Sequence, residues 1–414
     1  GTLGDWGIHW MDQILWIMDC EKWPRKVFST GGRPIKGPPV LTKDELRLIA
    51  PEAFFDTFCI GPRRAIVEYW RSGGATGRPL FYPRSAEDLR YGMEGFRRLL
   101  QSAGLTGDDM MHVSFPLGIH PVGHLYARAA EDLGVGTVWC GAGNNTPSET
   151  QIELIRTLKP TVWAGMASYG LQLAQVAERI GFDLANSSVK KFLTAAEPVS
   201  PGKRARIERL WGAELYDQFG CTESSAMASE SAAHDGMHFW TDLFHVEVVE
   251  EGAGRPVNIG ESGRLVMTPL WNNTVTPFLR WDSGDYVINK GYASSGPLAA
   301  YPVIAHAART AGFFKVRGVN INQAEIEDLM HRTPAIVDFK IEAIETATLD
   351  GLRVSIELAR GAEPDATKRD LGSAIKRTFE ITPNVIIVSP GTIEKELMAQ
   401  VKPNRFIDRR GGAA

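Results

Sequence analysis

Between Ser85 and Tyr216 the chain alternates short apolar runs with stretches whose apolar residues recur at helical spacing, and this alternation constrains the fold more than any other feature. The Ser85 hydroxyl can cap a helix with Asp88 three residues on, and Leu89, Met93, Phe96 and Leu100 then share one face. A strand-like run at 111–115 follows. Pro147-Ser148 opens a helix carrying Ile152, Ile155 and Leu158, and Thr161-Val162-Trp163-Ala164 reads as the next strand. A further helix starts at Ser168. Ser200-Pro201 begins another by placing proline at its first position, and Glu214-Leu215-Tyr216 reads as the strand after it. Repeated strand-helix alternation predicts an α/β fold, a large layered N-terminal domain with a substantially parallel sheet.

At 414 residues the chain is too long for one ordinary core. After Arg309 the pattern changes: 336–344 and 352–358 alternate apolar and polar residues, a helix carries Leu371, Ile375 and Phe379, and 385–388 forms another short strand. This predicts a separate, small α+β domain of roughly a hundred residues. The division falls at 1–309 and 310–414, with the join at Arg309-Thr310-Ala311-Gly312.

The net charge is -4, and the basic residues are spread along the chain, which argues against nucleic acid as the main partner and favours small-molecule chemistry. Cys20, Cys59, Cys140 and Cys221 show no ligand spacing, so neither a zinc site nor a disulfide framework is indicated and reduced thiols in a cytoplasm fit best. Asp5, His9, Asp12 and Asp19 interrupt the apolar N-terminal stretch and no basic leader precedes it, so a signal peptide or membrane span is not expected. Removal of residues ahead of Gly1 stays open, as does a homodimer.

Four blocks carry candidate chemistry. The first is Ser72-Gly73-Gly74-Ala75-Thr76-Gly77-Arg78-Pro79, where three glycines permit close approach to an anion and two hydroxyls add donors. No Gly-Lys-Ser/Thr follows, so by itself this is either a phosphate cradle or a plain surface turn. The second is Tyr216-Asp217-Gln218-Phe219-Gly220-Cys221-Thr222-Glu223, preceded by the small residues of Thr194-Ala195-Ala196-Glu197-Pro198. An aromatic ring can stack on a purine, a threonine can bond a phosphate oxygen and a glutamate can hold Mg²⁺. The third is Arg280-Trp281-Asp282-Ser283-Gly284-Asp285, whose last carboxylate could take both hydroxyls of a ribose, and the fourth is Lys402 in Val401-Lys402-Pro403-Asn404-Arg405. Singly, Glu223 also reads as a helix cap, Asp285 as a turn residue and Lys402 as a solvated lysine.

In this order the blocks resemble the acyl-adenylate-forming superfamily, most closely its phenylacetate-CoA ligase branch. Gly236-Met237-His238-Phe239-Trp240-Thr241-Asp242 and Arg317-Gly318-Val319-Asn320, followed by Glu325-Ile326-Glu327, extend the resemblance. It implies that Ser72, Gly73, Gly74, Ala75, Thr76 and Gly77 grip the β- and γ-phosphates of ATP, that Ala196, Glu197 and Pro198 line the nucleotide site, and that Phe219 and Gly220 meet adenine. Thr222 would contact the α-phosphate, Glu223 would hold Mg²⁺, Asp285 would bind the ribose with Arg309 nearby, and Lys402 would bridge the acid and the α-phosphate. It further implies a mobile C-terminal domain that withdraws Lys402 and brings Arg317 and Gly318 to the thiol of coenzyme A. Where relatives carry an acidic or other polar hinge residue, this chain has Ala311-Gly312.

The resemblance also places Phe115, Ile119 and His120 on the acid-binding cavity, with Trp163, Tyr169 and Ala195 as further walls. Aromatic walls suit an aryl acid, whereas His120 and Tyr169 could bond a polar substituent, so a short hydroxy acid of the 2-hydroxyisobutyrate type competes with a phenylacetate-type acid. His120 also reads as a satisfied core histidine. The function implied is an ATP-dependent acid-CoA ligase. Loading of a carrier protein, or a nucleotide-binding module without turnover, are the alternatives. Cys221 lacks an adjacent base and reads as a packing residue. His238 reads either as a family position or as an orienting group.

Overall fold

The computed structural model describes residues 40–71, 80–251, 254–293, 295–307, 313–316, 319–345, 350–397 and 405–410. Thr42 opens helix α1 (Lys43–Leu48) through a reciprocal cap with Glu45, and α2 (Phe54–Thr57) follows. Strands β1 (Ile66–Arg71) and β2 (Phe81–Ser85) pair antiparallel, and the glycine-rich loop between them lies outside the described residues. Helix α3 (Ala86–Ser102) begins at the expected Ser85–Asp88 capping box. Gly95 lets it lie on the sheet, because an added Cβ would sit 2.4 Å from the Ala226 carbonyl oxygen. Gly95→Ala is therefore expected to lower stability by about 1–3 kcal/mol through overpacking against backbone that cannot move aside. Calorimetry would read this as a fall in melting temperature.

The expected alternation is then realised in β3 (Met110–Val113), α4 (Pro121–Asp132), β4 (Gly136–Trp139), α5 (Ser148–Leu158), β5 (Val162–Gly165), α6 (Ala167–Arg179), β6 (Lys191–Thr194), α7 (Pro201–Trp211) and β7 (Glu214–Cys221). These strands are parallel in the order β4-β3-β5-β6-β7. Leu158 departs from its expected buried face: it ends α5, just before a left-handed Lys159, and is exposed.

Beyond β7 the sheet turns antiparallel. Residues 222–224 alone separate β7 from β8 (Ser225–Ser229), and so short a link can reverse the chain but cannot carry a crossover, which needs about a dozen residues. With β9 (Met237–Phe239), β10 (Phe244–Val249), β11 (Ser262–Pro269), β12 (Trp281–Tyr292) and β13 (Pro302–His306) this half runs in the order β10-β11-β12-β13-β9-β8-β7. The parallel expectation thus holds for one half of a mixed 11-stranded sheet among the described residues.

A second buried core, including Val316, Ile326, Ile341, Ile356 and Ile375, is separate from the first. It is built from β14 (Phe313–Val316), β15 (Val319–Asn322), α8 (Gln323–Arg332), β16 (Ile336–Glu345), β17 (Asp350–Leu358), α9 (Pro364–Phe379), β18 (Asn384–Ile387), α10 (Thr392–Leu397) and β19 (Phe406–Asp408). The expected join at 309–312 lies outside the described residues. The C-terminal unit docks through α8 on α7: Asp328 accepts from the Gly202 amide at 2.8 Å and Glu327 from the Lys203 ammonium at 2.9 Å. Its α10 reaches α6, where Gln172 donates to Glu394 at 2.6 Å.

Candidate active site

The turn between β7 and β8 collects the second sequence block. Gly220 is required there, because a Cβ would fall 2.6 Å from the Ser225 carbonyl oxygen, and Ser225 itself is left-handed with φ 72°. Glu223 is buried in this turn at 1 % exposure. Its Oε1 accepts from the Tyr82 hydroxyl at 2.9 Å and lies 3.1 Å from the Lys43 ammonium. Lys43 arrives because Leu41 bridges to Trp281 at the start of β12, with the Leu41 amide on the Arg280 carbonyl at 3.0 Å. Burial opposes the charge on Lys43, yet Glu223, with help from Asp285, outweighs it and raises its pKa. Glu223 and Asp285 thus both act on one ammonium. Asp285 is aimed by a tight turn in which Gly284 has φ 76° and the Asp285 amide donates to the Ser283 hydroxyl at 3.0 Å.

Phe219, two residues before the end of β7, is almost buried, its ring edge-on to His306 at 5.6 Å. At the neighbouring strand end, Ala196 adopts φ 74°, a conformation uncommon for a residue with a Cβ, and turns Ala195, Glu197 and Pro198 over the end of β6. The Glu197 carboxylate points inward: it accepts from the Ser168 amide at the start of α6 and lies 3.6 Å from the Lys203 ammonium. It holds the turn in place, and the backbone of the turn faces outward with Ala196 and Pro198 exposed.

The acid-cavity residues separate into two groups. Trp163 is fully enclosed between Phe192 and Trp211, and Phe115 is fully enclosed against the Tyr126 ring, so both are core in this structure. Ile119 is exposed, and His120 places Nδ1 3.2 Å from the Arg71 carbonyl oxygen, directly before the glycine-rich loop. The Tyr169 hydroxyl accepts from Gln151 Nε2 at 2.9 Å and lies 3.2 Å from the Ser148 hydroxyl. Gln151 also accepts from Ser114 at 2.7 Å and pairs with His112 Nε2 at 3.1 Å. Burial pushes His112 down to about 4, so it is neutral near pH 7, and pushes the Tyr169 hydroxyl up to about 12.

Ser72, Gly73, Gly74, Ala75, Thr76, Gly77, Arg309, Arg317, Gly318 and Lys402 lie outside the described residues. Lys43, Tyr82, Arg84 and Gln151 join the site region without having been singled out by sequence. Gln151 had a signal, a polar residue one turn before Ile155 on the apolar face of α5. His238 is an orienting group: Nδ1 meets the Leu298 carbonyl and Nε2 meets Asp235, each at 3.1 Å. Burial and Glu223 raise the Cys221 thiol, which removes it as a nucleophile near neutral pH.

A mixed-sheet α/β domain thus holds a buried glutamate in the β7–β8 turn, with an α+β unit docked on its α7. The sequence model of the AMP-binding enzyme family matches residues 72–269, and that of the AMP-binding enzyme C-terminal domain matches 318–410. The chain belongs to the family of AMP-binding enzymes. A curated relative, the phenylacetate-coenzyme A ligase of Aromatoleum evansii, is 26% identical over 385 residues, covering 90% of this chain and 84% of the relative. The crystal structure of 2-hydroxyisobutyryl-CoA ligase in the postadenylation state with 2-HIB-AMP superposes with TM-score 0.80 at 24% identity, over 90% of this chain and 80% of that one. Against the thioesterification state of that ligase, with 2-HIB-AMP and CoA, the TM-score is 0.61 at 23% identity and the same coverage.

Proposed function

We propose that this enzyme is an ATP-dependent carboxylic acid-CoA ligase that activates its acid as an acyl-adenylate, releases pyrophosphate and then forms the thioester. The observation that carries the reading is the buried Glu223 in the β7–β8 turn, paired with Lys43, on which Asp285 also acts, with Phe219 four residues earlier on β7. The activity of its curated phenylacetate-CoA ligase relatives supports it. Carrier-protein loading and a module without turnover have no observation in their favour.

Phe219 would flank the adenine, Asp285 the ribose and Thr222 the α-phosphate, with the 72–77 loop on the leaving pyrophosphate. Among the described residues no group of three or more His, Cys, Asp or Glu is placed to hold a metal. A lone buried carboxylate with an oxygen donor still fits Mg²⁺, which is commonly held by one or two carboxylates plus substrate phosphates. Bound at Glu223, Mg²⁺ would supply charge neutralisation on the phosphates. Attack by a carboxylate on an anionic phosphorus also needs a cation between the two, and Lys402 would provide it as a compact point charge able to leave afterwards. Arg317 and Gly318 would then serve the thiol step.

The aryl class is the better fit for the acid, because the Tyr169 hydroxyl and His120 Nδ1 already have partners within the protein. Free Cys59, Cys140 and Cys221 accord with a reducing cytoplasm. Among the described residues no helix is long and apolar enough to cross a membrane.

Acid-dependent exchange of pyrophosphate into ATP tests the first half-reaction, and thioester formation with free coenzyme A tests the second. A screen of aryl and short hydroxy acids should return aryl acids; turnover confined to hydroxy acids would reassign the cavity. Exchange without thioester on free coenzyme A would redirect the second step to a carrier protein.

A further inference from the structure

Strand β2 follows the glycine-rich loop, and two of its residues two apart, Tyr82 and Arg84, point to the same side, as residues at i and i+2 must. Both side chains end on the Thr222–Glu223 turn. The Tyr82 hydroxyl donates to Glu223 Oε1 at 2.9 Å. Arg84 Nη2 donates to the Thr222 carbonyl at 3.1 Å and also to the Glu223 carbonyl, while Nη1 donates to the Thr276 hydroxyl at 2.8 Å. Both side chains are buried, Tyr82 at 0 % and Arg84 at 2 % exposure, and the Phe278 ring packs against both.

The turn needs such a device. The β7–β8 ladder ends at the Cys221–Ser225 pair, so residues 222–224 lie outside it, yet buried carbonyls require donors. A planar guanidinium can bridge two successive carbonyls with one fixed fork; an ammonium presents no such geometry. Lys43 draws on the same Glu223 oxygen from the opposite element. A second donor at a set angle fixes where the carboxylate points while that ammonium pulls on it.

We propose that Tyr82 and Arg84 are positioning residues that clamp the Thr222–Glu223 turn and thereby set the affinity of Glu223 for Mg²⁺ carried by the nucleotide. The clamp rests on the reading of Glu223 as the metal carboxylate. Groups that orient a metal-binding carboxylate typically change metal affinity by about 10–100-fold when removed. The strand also links the clamp to the phosphate loop, since β2 begins two residues after that loop.

The test measures calorimetric binding of α,β-methylene-ATP with and without Mg²⁺ to wild type, Tyr82→Phe, Arg84→Lys, Arg84→Ala and Glu223→Gln. Tyr82→Phe keeps the ring and is expected to weaken the Mg²⁺ complex about ten-fold while leaving metal-free nucleotide binding unchanged. Arg84→Lys should lose a comparable factor, and guanidinium added to Arg84→Ala should restore binding where methylammonium does not. A general packing role would weaken both nucleotide forms alike and show no such rescue. If Glu223→Gln loses the Mg²⁺ dependence and Tyr82→Phe keeps it, the clamp is wrong while the metal assignment stands. If Glu223→Gln behaves as wild type, the metal assignment fails and takes the clamp with it.

Discussion

Lys402→Ala is expected to reduce acid-dependent pyrophosphate exchange by about 10²–10³-fold or more, the scale of losing a charge aimed at the transition state. Thioester formation from supplied acyl-adenylate should stay close to wild type. The site makes the need for this charge concrete: Lys43 is already paired with Glu223 at 3.1 Å and is also acted on by Asp285. Although residues 398–404 lie outside the description, both flanks are anchored. On one side α10 contacts α6 through Glu394 and Gln172. On the other, Arg405 donates to Asp338 and to the Phe339 carbonyl, and β19 pairs parallel with β16. Quenched-flow measurement of each half-reaction separates the two. Exchange at the wild-type rate in Lys402→Ala would overturn the mechanism.

The parallel half of the sheet was legible because β3, β4, β5 and β6 are each followed by a helix with apolar residues at helical spacing, and Ser200 with Pro201 marks the start of α7. The antiparallel half was not: its hairpins join consecutive strands, but the pairing of β9 with β13 that closes it sets Met237 against Ile304, and no local period records that. The site was legible where several functional residues sit within a few positions, as in the block from Phe219 to Glu223. Lys43, Tyr82 and Arg84 were hidden for the opposite reason. A lysine opening a short helix, or a tyrosine and an arginine in a strand, carry nothing in their own surroundings to say that Glu223 lies across the fold, 141 positions from Tyr82. Trp163 and Phe115 mislead similarly: an aromatic near a cavity in sequence can turn into the core, and one residue shifts a strand side chain from one face to the other.

Lys203→Met should cost about 3–5 kcal/mol, the usual scale for removing one partner of a buried ionic group. Its ammonium, at 4 % exposure, lies 3.6 Å from Glu197 and 2.9 Å from Glu327, so the substitution leaves two carboxylates without their shared cation. One belongs to the Ala195–Pro198 turn after β6 and the other to α8 of the docked unit, so the loss should loosen the docking and the turn together. Adding Glu327→Gln to Lys203→Met should recover part of the stability, which a simple packing defect at Lys203 would not allow. The pH dependence follows from the same groups. Burial opposes the charge on Glu327, but Lys203 and His331 overcome it and hold its carboxyl well below the usual range. A depressed carboxyl contributes stability above its unfolded pKa and loses it as pH falls. Burial lowers His331 from 6.5 to about 4, so on acidification the unfolded chain takes up that proton first and stability is lost across the same interval. Both groups act in one direction. The wild-type melting temperature should fall as pH drops from 6.5 towards 4 through His331, and further below 4.5 through Glu327, and Lys203→Met should flatten that lower part. A variant that melts at the wild-type temperature with an unchanged pH profile would show that Lys203 does not couple the two units.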